Sequence, residues 1–127
     1  MPRRKSINIA GFRHQNPIPN ATRIGNLLMS GVIVGFDPGT RTLPPDLDRQ
    51  LGNLFAHVRE IVTAAGGSTD DIIKMTVWLK DPSDRKLLNR HWVEMFPDEN
   101  SRPSRHTLPL PGDSAVLVQC DLTAVLA

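Results

Sequence analysis

Leu47, Leu51, Leu54, Val58, Ile61 and Ala65 recur at steps of three and four, with Arg49, Asn53, His57 and Glu60 between them. That period places the apolar set on one stripe of a helix and the polar set, His57 included, on its solvated side. Asp46 stands where an N-cap is needed, and Gly66-Gly67 ends the helix, because glycine turns a chain out of a helix at little cost. A second helix opens at Asp81-Pro82, a cap followed by a first-turn proline. Its apolar positions are Leu87, Leu88, Trp92, Met95 and Phe96, and Pro97 stops it.

The remaining apolar segments read as strands. Ile72–Leu79 (IIKMTVWL) alternates and is rich in β-branched and aromatic residues. Shorter strands are expected at Ser6–Ala10 and over Arg23–Val34, the latter interrupted at Ser30-Gly31 as by a bulge. Two more are expected around Ser104–Leu108 and Val116–Val125. Asp37-Pro38-Gly39-Thr40 is a turn sequence. The order β-β-α-β-α-β-β lets two amphipathic helices cover one face of a sheet. On the last strand, Val116, Val118, Cys120, Leu122, Ala124 and Leu126 share one face, and Leu117, Gln119, Asp121, Thr123 and Val125 share the other. The second face is too apolar for water yet has no helix left to cover it, so another subunit is the economical cover and a homo-oligomer is expected.

Composition narrows the function. The chain has 127 residues, 39% hydrophobic and 22% charged, the profile of one soluble globular domain over residues 1–127. Residues 1–5, with the run Arg3-Arg4-Lys5, are expected to form a flexible basic tail. A net charge of +2 without any tyrosine for base stacking argues against nucleic acid as a partner. No apolar run is long enough to span a membrane, and nothing N-terminal reads as a signal peptide, so no membrane partner is expected. The single cysteine excludes an internal disulfide framework and suits a reducing, cytoplasmic setting.

Candidate chemistry centres on Arg105, in the extended segment Arg102-Pro103-Ser104-Arg105-His106-Thr107-Leu108, fourteen positions before Gln119. A guanidinium is always charged and presents a planar fork that matches a carboxylate. Burying it is costly unless an acceptor meets it. Two partners remain open, a small carboxylate ligand or a structural Asp or Glu. His14, His57, His91, His106 and Cys120 show no spacing of a known metal set, so no metal or cofactor is expected. His106 should point opposite to Arg105, and Cys120, on a face with Val118 and Leu122, reads as a buried inert thiol. Trp78 and Trp92 read as packing residues, with a cleft-lining role open to either.

Several segments occur in a telling order. They are Asn16-Pro17-Ile18-Pro19-Asn20-Ala21, Gly25-Asn26, Leu28-Met29-Ser30-Gly31, the helix ending Ala64-Ala65-Gly66, and Asp70-Asp71-Ile72-Ile73-Lys74-Met75-Thr76-Val77-Trp78-Leu79-Lys80-Asp81. Asn89, Pro103-Ser104-Arg105 and the closing polar-apolar strand complete the set. Over about residues 16–126 this resembles the RidA (reactive intermediate deaminase) family, also called the YjgF family. The resemblance implies an α+β, chorismate-mutase-like fold with a mixed sheet covered on one face by two helices, assembling as a homotrimer with clefts between subunits. Family members bind small carboxylates there, and many hydrolyse imines or enamines such as 2-aminoacrylate to a keto acid and ammonia.

Carried over by position, the resemblance makes Arg105 the grip on the substrate carboxylate. Ile18, Ser30, Gly31, Asn89 and Thr107 become substrate-binding positions, and Gln119 joins Arg105 as a catalytic position. Two positions depart from the family pattern. Ile18 stands where a tyrosine is common, and Gln119 where a glutamate is common. A carboxylate accepts a proton or activates water, whereas an amide only orients it. Asp121 lies two residues along the same strand face, roughly 6.5–7 Å away, and matches a second acid of the pattern rather than a relocated glutamate. The sequence therefore leaves two functions open, an imine or enamine deaminase and a non-catalytic module that binds a small carboxylate or regulates a partner.

Overall fold

A computed structural model describes residues 2–127. Strands β1 (Lys5–Ile7), β2 (Ala21–Ile24), β3 (Leu27–Ser30) and β4 (Ile33–Val34) precede helix α1 (Leu47–Ala64). Strand β5 (Ile72–Leu79), helix α2 (Arg85–Met95), β6 (Ser104–Pro109) and β7 (Val118–Val125) follow. The strands form one mixed sheet in the order β1-β2-β3-β7-β5-β6, with β4 also on β7. Only β5 and β6 run parallel, joined by the crossover through α2. The fold is α+β, with both helices on one face of the sheet.

The expected bulged strand over Arg23–Val34 is instead three strands. Gly25, at φ 58°, leads a two-residue turn that folds β2 onto β3 with Ile24 opposite Leu27. Strand β3 then pairs with Thr123–Val125 of β7 and β4 with Gln119–Cys120, so the two lie end to end along one partner. In the break between them the Ser30 hydroxyl accepts the Leu122 N–H at 2.9 Å and donates to the Gly31 carbonyl at 2.8 Å. The first strand starts and ends earlier than expected, and Lys5 of the basic run pairs with Arg23.

Helix α1 begins as the sequence indicates, whereas α2 begins only at Arg85, after the expected opening at Asp81-Pro82. The Asp46 carboxylate accepts the Arg49 N–H at 3.1 Å. Asp81 caps a short 3₁₀ turn, Pro82–Asp84, that leads into α2. Leu51, Leu54, Val58 and Ile61 of α1 are buried with Met75, Val77 and Leu79 of β5 and Val118, Cys120 and Leu122 of β7.

The buried arc of α1 is wider than its leucine stripe, and His57 is 1% exposed rather than solvated. The reason is the segment after β4, which crosses the helix beside that stripe. His57 Nε2 lies 2.8 Å from the Phe36 carbonyl, and Phe12 stacks on the imidazole at 5.4 Å. Gly35 makes this approach possible, since a Cβ there would fall 2.2 Å from the Gln50 carbonyl oxygen.

Gln50 is also fully buried, with its amide used throughout. Its Nε2 donates to the carbonyls of Pro44 at 2.8 Å and Ala115 at 3.0 Å, and its Oε1 accepts the Leu117 N–H at 2.9 Å. The helix thus fixes the chain just before β7.

The other sheet face carries no helix. Met29 is 54% exposed and Leu27 45% exposed, with Val125 beside Leu27 and Trp78 half-buried. This is the apolar face for which the sequence expects a cover.

Candidate functional site

Arg105 lies on β6, an edge strand, opposite Met75. Residues paired across neighbouring strands share a face. Met75 is fully buried beneath the helices, so Arg105 projects to the helix side, at the rim where α2 passes. On α2, Asn89 and Trp92 are three residues apart and therefore on one face. Both meet the arginine. Its Nη2 donates to Asn89 Oδ1 at 2.8 Å, and its Cζ stands 5.0 Å from the Trp92 ring centroid. The indole is itself held, buried, edge-on to Phe96 at 4.7 Å.

The structural alternative left open by the sequence is an acidic partner for Arg105. None of the ion pairs among the described residues includes it; they join Arg49 to Asp37, and Arg90 and His91 to Asp48. A neutral amide and an aromatic face orient the fork without neutralising it. Burial, followed by the like charge of Arg85, lowers the Arg105 pKa from its ordinary value, and a guanidinium so lowered still carries its charge. Asn89, Trp92, Val93, Arg102, Pro103 and Arg105 line an open cavity of about 470 Å³. Thr107, two residues along and opposite Val77, shares the strand face of Arg105.

Gln119 lies elsewhere. It pairs with Trp78 and Val34, one position out of phase with buried Cys120, so it projects from the helix-free face. Asp121 shares that face opposite Thr76. Burial holds the Asp121 carboxyl above the ordinary carboxylate value, against hydrogen bonds from Thr76 and the charge of Lys74. His106, also opposite Thr76, points away from Arg105 as the strand alternation requires.

A third group stands near the β3–β4 break. Gly31 N–H donates to the Asn20 carbonyl at 2.9 Å, and the Ser30 hydroxyl is occupied by the backbone of β7. Ile18 is 51% exposed and lines a cavity of about 350 Å³ with Asn8, Ile9, Ala10, Arg13 and His14. One chain therefore brings Asn89, Arg105 and Thr107 together and sets Ile18, Ser30 and Gly31 apart from them, with Gln119 on the opposite face. From β6 to β7 is two strand spacings, roughly 10 Å.

The sequence reads Trp92 as packing first, with a cleft-lining role left open. It is packing, but it also supplies the π-face under Arg105; the Asn89-x-x-Trp92 spacing on α2 was the signal. His14, weighed in the sequence only as a metal ligand, has its Nε2 buried without a hydrogen-bond partner, 3.9 Å from the position of a Cβ on Gly31. Burial and then Arg41 lower the His14 pKa, favouring a neutral ring. Cys120 is fully buried, and burial raises its thiol pKa far beyond reactive values. Among the described residues, no group of three or more His, Cys, Asp or Glu side chains is placed to hold a metal ion. No helix among them is long and apolar enough to cross a membrane.

Comparison with known proteins places the fold in a family. The family model described as endoribonuclease L-PSP matches residues 13–120. A RutC family protein of Pyrococcus horikoshii is 32% identical over 112 residues, covering 85% of this chain and 86% of the relative. The 2-iminobutanoate/2-iminopropanoate deaminase of Escherichia coli is 28% identical over 107 residues, covering 81% and 84%. Among solved structures, Escherichia coli TdcF with bound serine superposes with a TM-score of 0.87 at 25% identity, covering 97% of this chain and 99% of that one.

Proposed function

The chain belongs to the YjgF/RidA family, the family of the endoribonuclease L-PSP model, and from that premise we propose that it is an imine/enamine deaminase. It hydrolyses small 2-imino acids of the 2-aminoacrylate type to 2-keto acids and ammonia in a cleft between subunits of a cytoplasmic homotrimer. The observation that carries this reading is Arg105, a half-buried guanidinium aimed by Asn89 and Trp92 and not ion-paired among the described residues. The deaminase name of the Escherichia coli relative and the serine bound to TdcF support a small carboxylate as what it holds.

In this reading the substrate carboxylate docks on Arg105 as a charge-assisted pair, leaving the imine carbon presented to water. Water adds to C2, giving a carbinolamine. The C–N bond then breaks, ammonia leaves, and the C2 oxygen becomes the keto oxygen. Gln119 orients the water through its amide, and Thr107 contributes backbone groups beside the carboxylate. Ile18, Ser30 and Gly31 form the opposite wall. Because Arg105 and Gln119 leave opposite faces of one sheet, the complete cleft takes Arg105 from one subunit and Gln119 from its neighbour. The exposed apolar face around Leu27, Met29 and Val125 supports such an assembly.

A second reading has a specific observation in its favour. An amide at Gln119 cannot take a proton, and Ile18 has no hydroxyl to offer. These two positions favour a trimeric module that binds a small carboxylate, or regulates a partner, without turnover. Assay of the purified protein on freshly generated 2-aminoacrylate separates the two. Ammonia and pyruvate released above the buffer rate, and lost in Arg105→Ala, support the deaminase; carboxylate binding without release supports the module.

A further inference from the structure

The wall around Arg105 carries more positive charge than one carboxylate needs. On α2, Arg85, Asn89 and Trp92 follow at steps of four and three, so Arg85 stands one turn before Asn89 on the same helix face. Its charge is felt at Arg105. On the other side Arg102 lines the same cavity, with its Nε donating to the Phe96 carbonyl at 2.8 Å and its Nη2 to the Pro97 carbonyl at 3.4 Å. Those bonds to the end of α2 fix Arg102 in place and leave its charge in force.

Two guanidinium groups, Arg102 and Arg105, therefore line one cavity, a third, Arg85, stands a turn before Asn89 on α2, and none of the three is ion-paired among the described residues. Their mutual repulsion is relieved most by a ligand that brings more than one negative charge. Trp92, Val93 and Pro103 line the same cavity and offer apolar surface to a short carbon chain between two charged ends.

Resting on the carboxylate-binding role of Arg105, we propose that this cleft prefers dianionic ligands, namely 2-imino acids and 2-keto acids that carry a second carboxylate. Arg105 takes the carboxylate beside the reacting carbon, and Arg85 with Arg102 attracts the distal one. Among the 2-imino acids of the proposed reaction, the imine of an acidic amino acid is then held more tightly than that of a small neutral one.

The test is calorimetric titration of the full chain with 2-oxoglutarate and with 2-oxopentanoate, which share a five-carbon chain and differ in the distal charge. The dianion binds about tenfold tighter or more, and the ratio shrinks as salt rises to about 0.5 M. Arg85→Gln and Arg102→Gln each reduce the ratio at least about threefold. Arg85 is exposed and in none of the ion pairs among the described residues, so its variant keeps the test usable if the Arg102 variant fails to fold. Equal or weaker binding of 2-oxoglutarate, with both ligands lost in Arg105→Ala, overturns the dianion preference and leaves the Arg105 site standing. A ratio unchanged in Arg85→Gln and in every folded Arg102 variant also overturns it. Binding of both ligands unaffected by Arg105→Ala overturns the site itself and this inference with it.

Discussion

Arg105 and Gln119 leave the same sheet from opposite faces, Arg105 in phase with buried Met75 and Gln119 out of phase with buried Cys120. A strand reverses its side chains at every residue, so no rotamer brings the two groups to one side. If both act on one ligand, they come from different copies of the chain.

Subunit complementation follows from that geometry. The expected result is that the protein sediments as a trimer and that Arg105→Ala and Gln119→Ala each lose the proposed deaminase activity alone. Co-refolded in equal amounts, they recover activity at about a quarter of the sites, those that pair an intact Arg105 with an intact Gln119. No recovery in mixed trimers, or a stable monomer at micromolar concentration, contradicts a shared cleft.

Gln119→Glu tests what the amide costs. A carboxylate at this position supplies general-base help, typically about 10²–10⁴-fold in rate. Single-turnover hydrolysis of 2-aminoacrylate by the two proteins measures the gain. Equal rates assign the chemistry to Arg105 and the backbone.

Gln50→Leu removes three hydrogen bonds at a fully buried position and leaves the Leu117 N–H and two carbonyls to find other partners. The expected loss is about 1–3 kcal/mol of unfolding free energy, read from a denaturant midpoint at constant slope. The same variant loosens the chain entering β7, so amide exchange accelerates at Leu117 and Val118 before it does in β5.

His57 makes stability sensitive to mild acid. Burial lowers its pKa below the ordinary 6.5, against the Phe36 carbonyl and Glu60, which favour the charged form. The unfolded chain therefore binds the proton first, and stability present above about pH 6.5 declines as the pH falls toward the lowered folded value. His57→Gln keeps a donor for the Phe36 carbonyl and flattens this decline in chemical denaturation run across that range. His14, shifted in the same direction, keeps the slope from vanishing.

The sequence alone determined both helices, the long strand β5 and the buried face of β7, because each carries its own period and its own caps. It also singled out Arg105 and Asn89, through the order of segments they sit in. The three-dimensional structure decided what no local pattern contains. The chain between Arg23 and Val34 reads as one bulged strand, but a turn at Gly25-Asn26 and pairing with two stretches of β7 divide it into three. His57 lies off the leucine stripe, and the passage of Phe36 and of Phe12 over α1 buries it. Trp92 becomes the support of Arg105 because a parallel crossover returns β6 beneath α2. Periodicity records which side of an element is dry; which distant segment dries it, and which charges then stand together, depends on contacts between residues far apart in the chain.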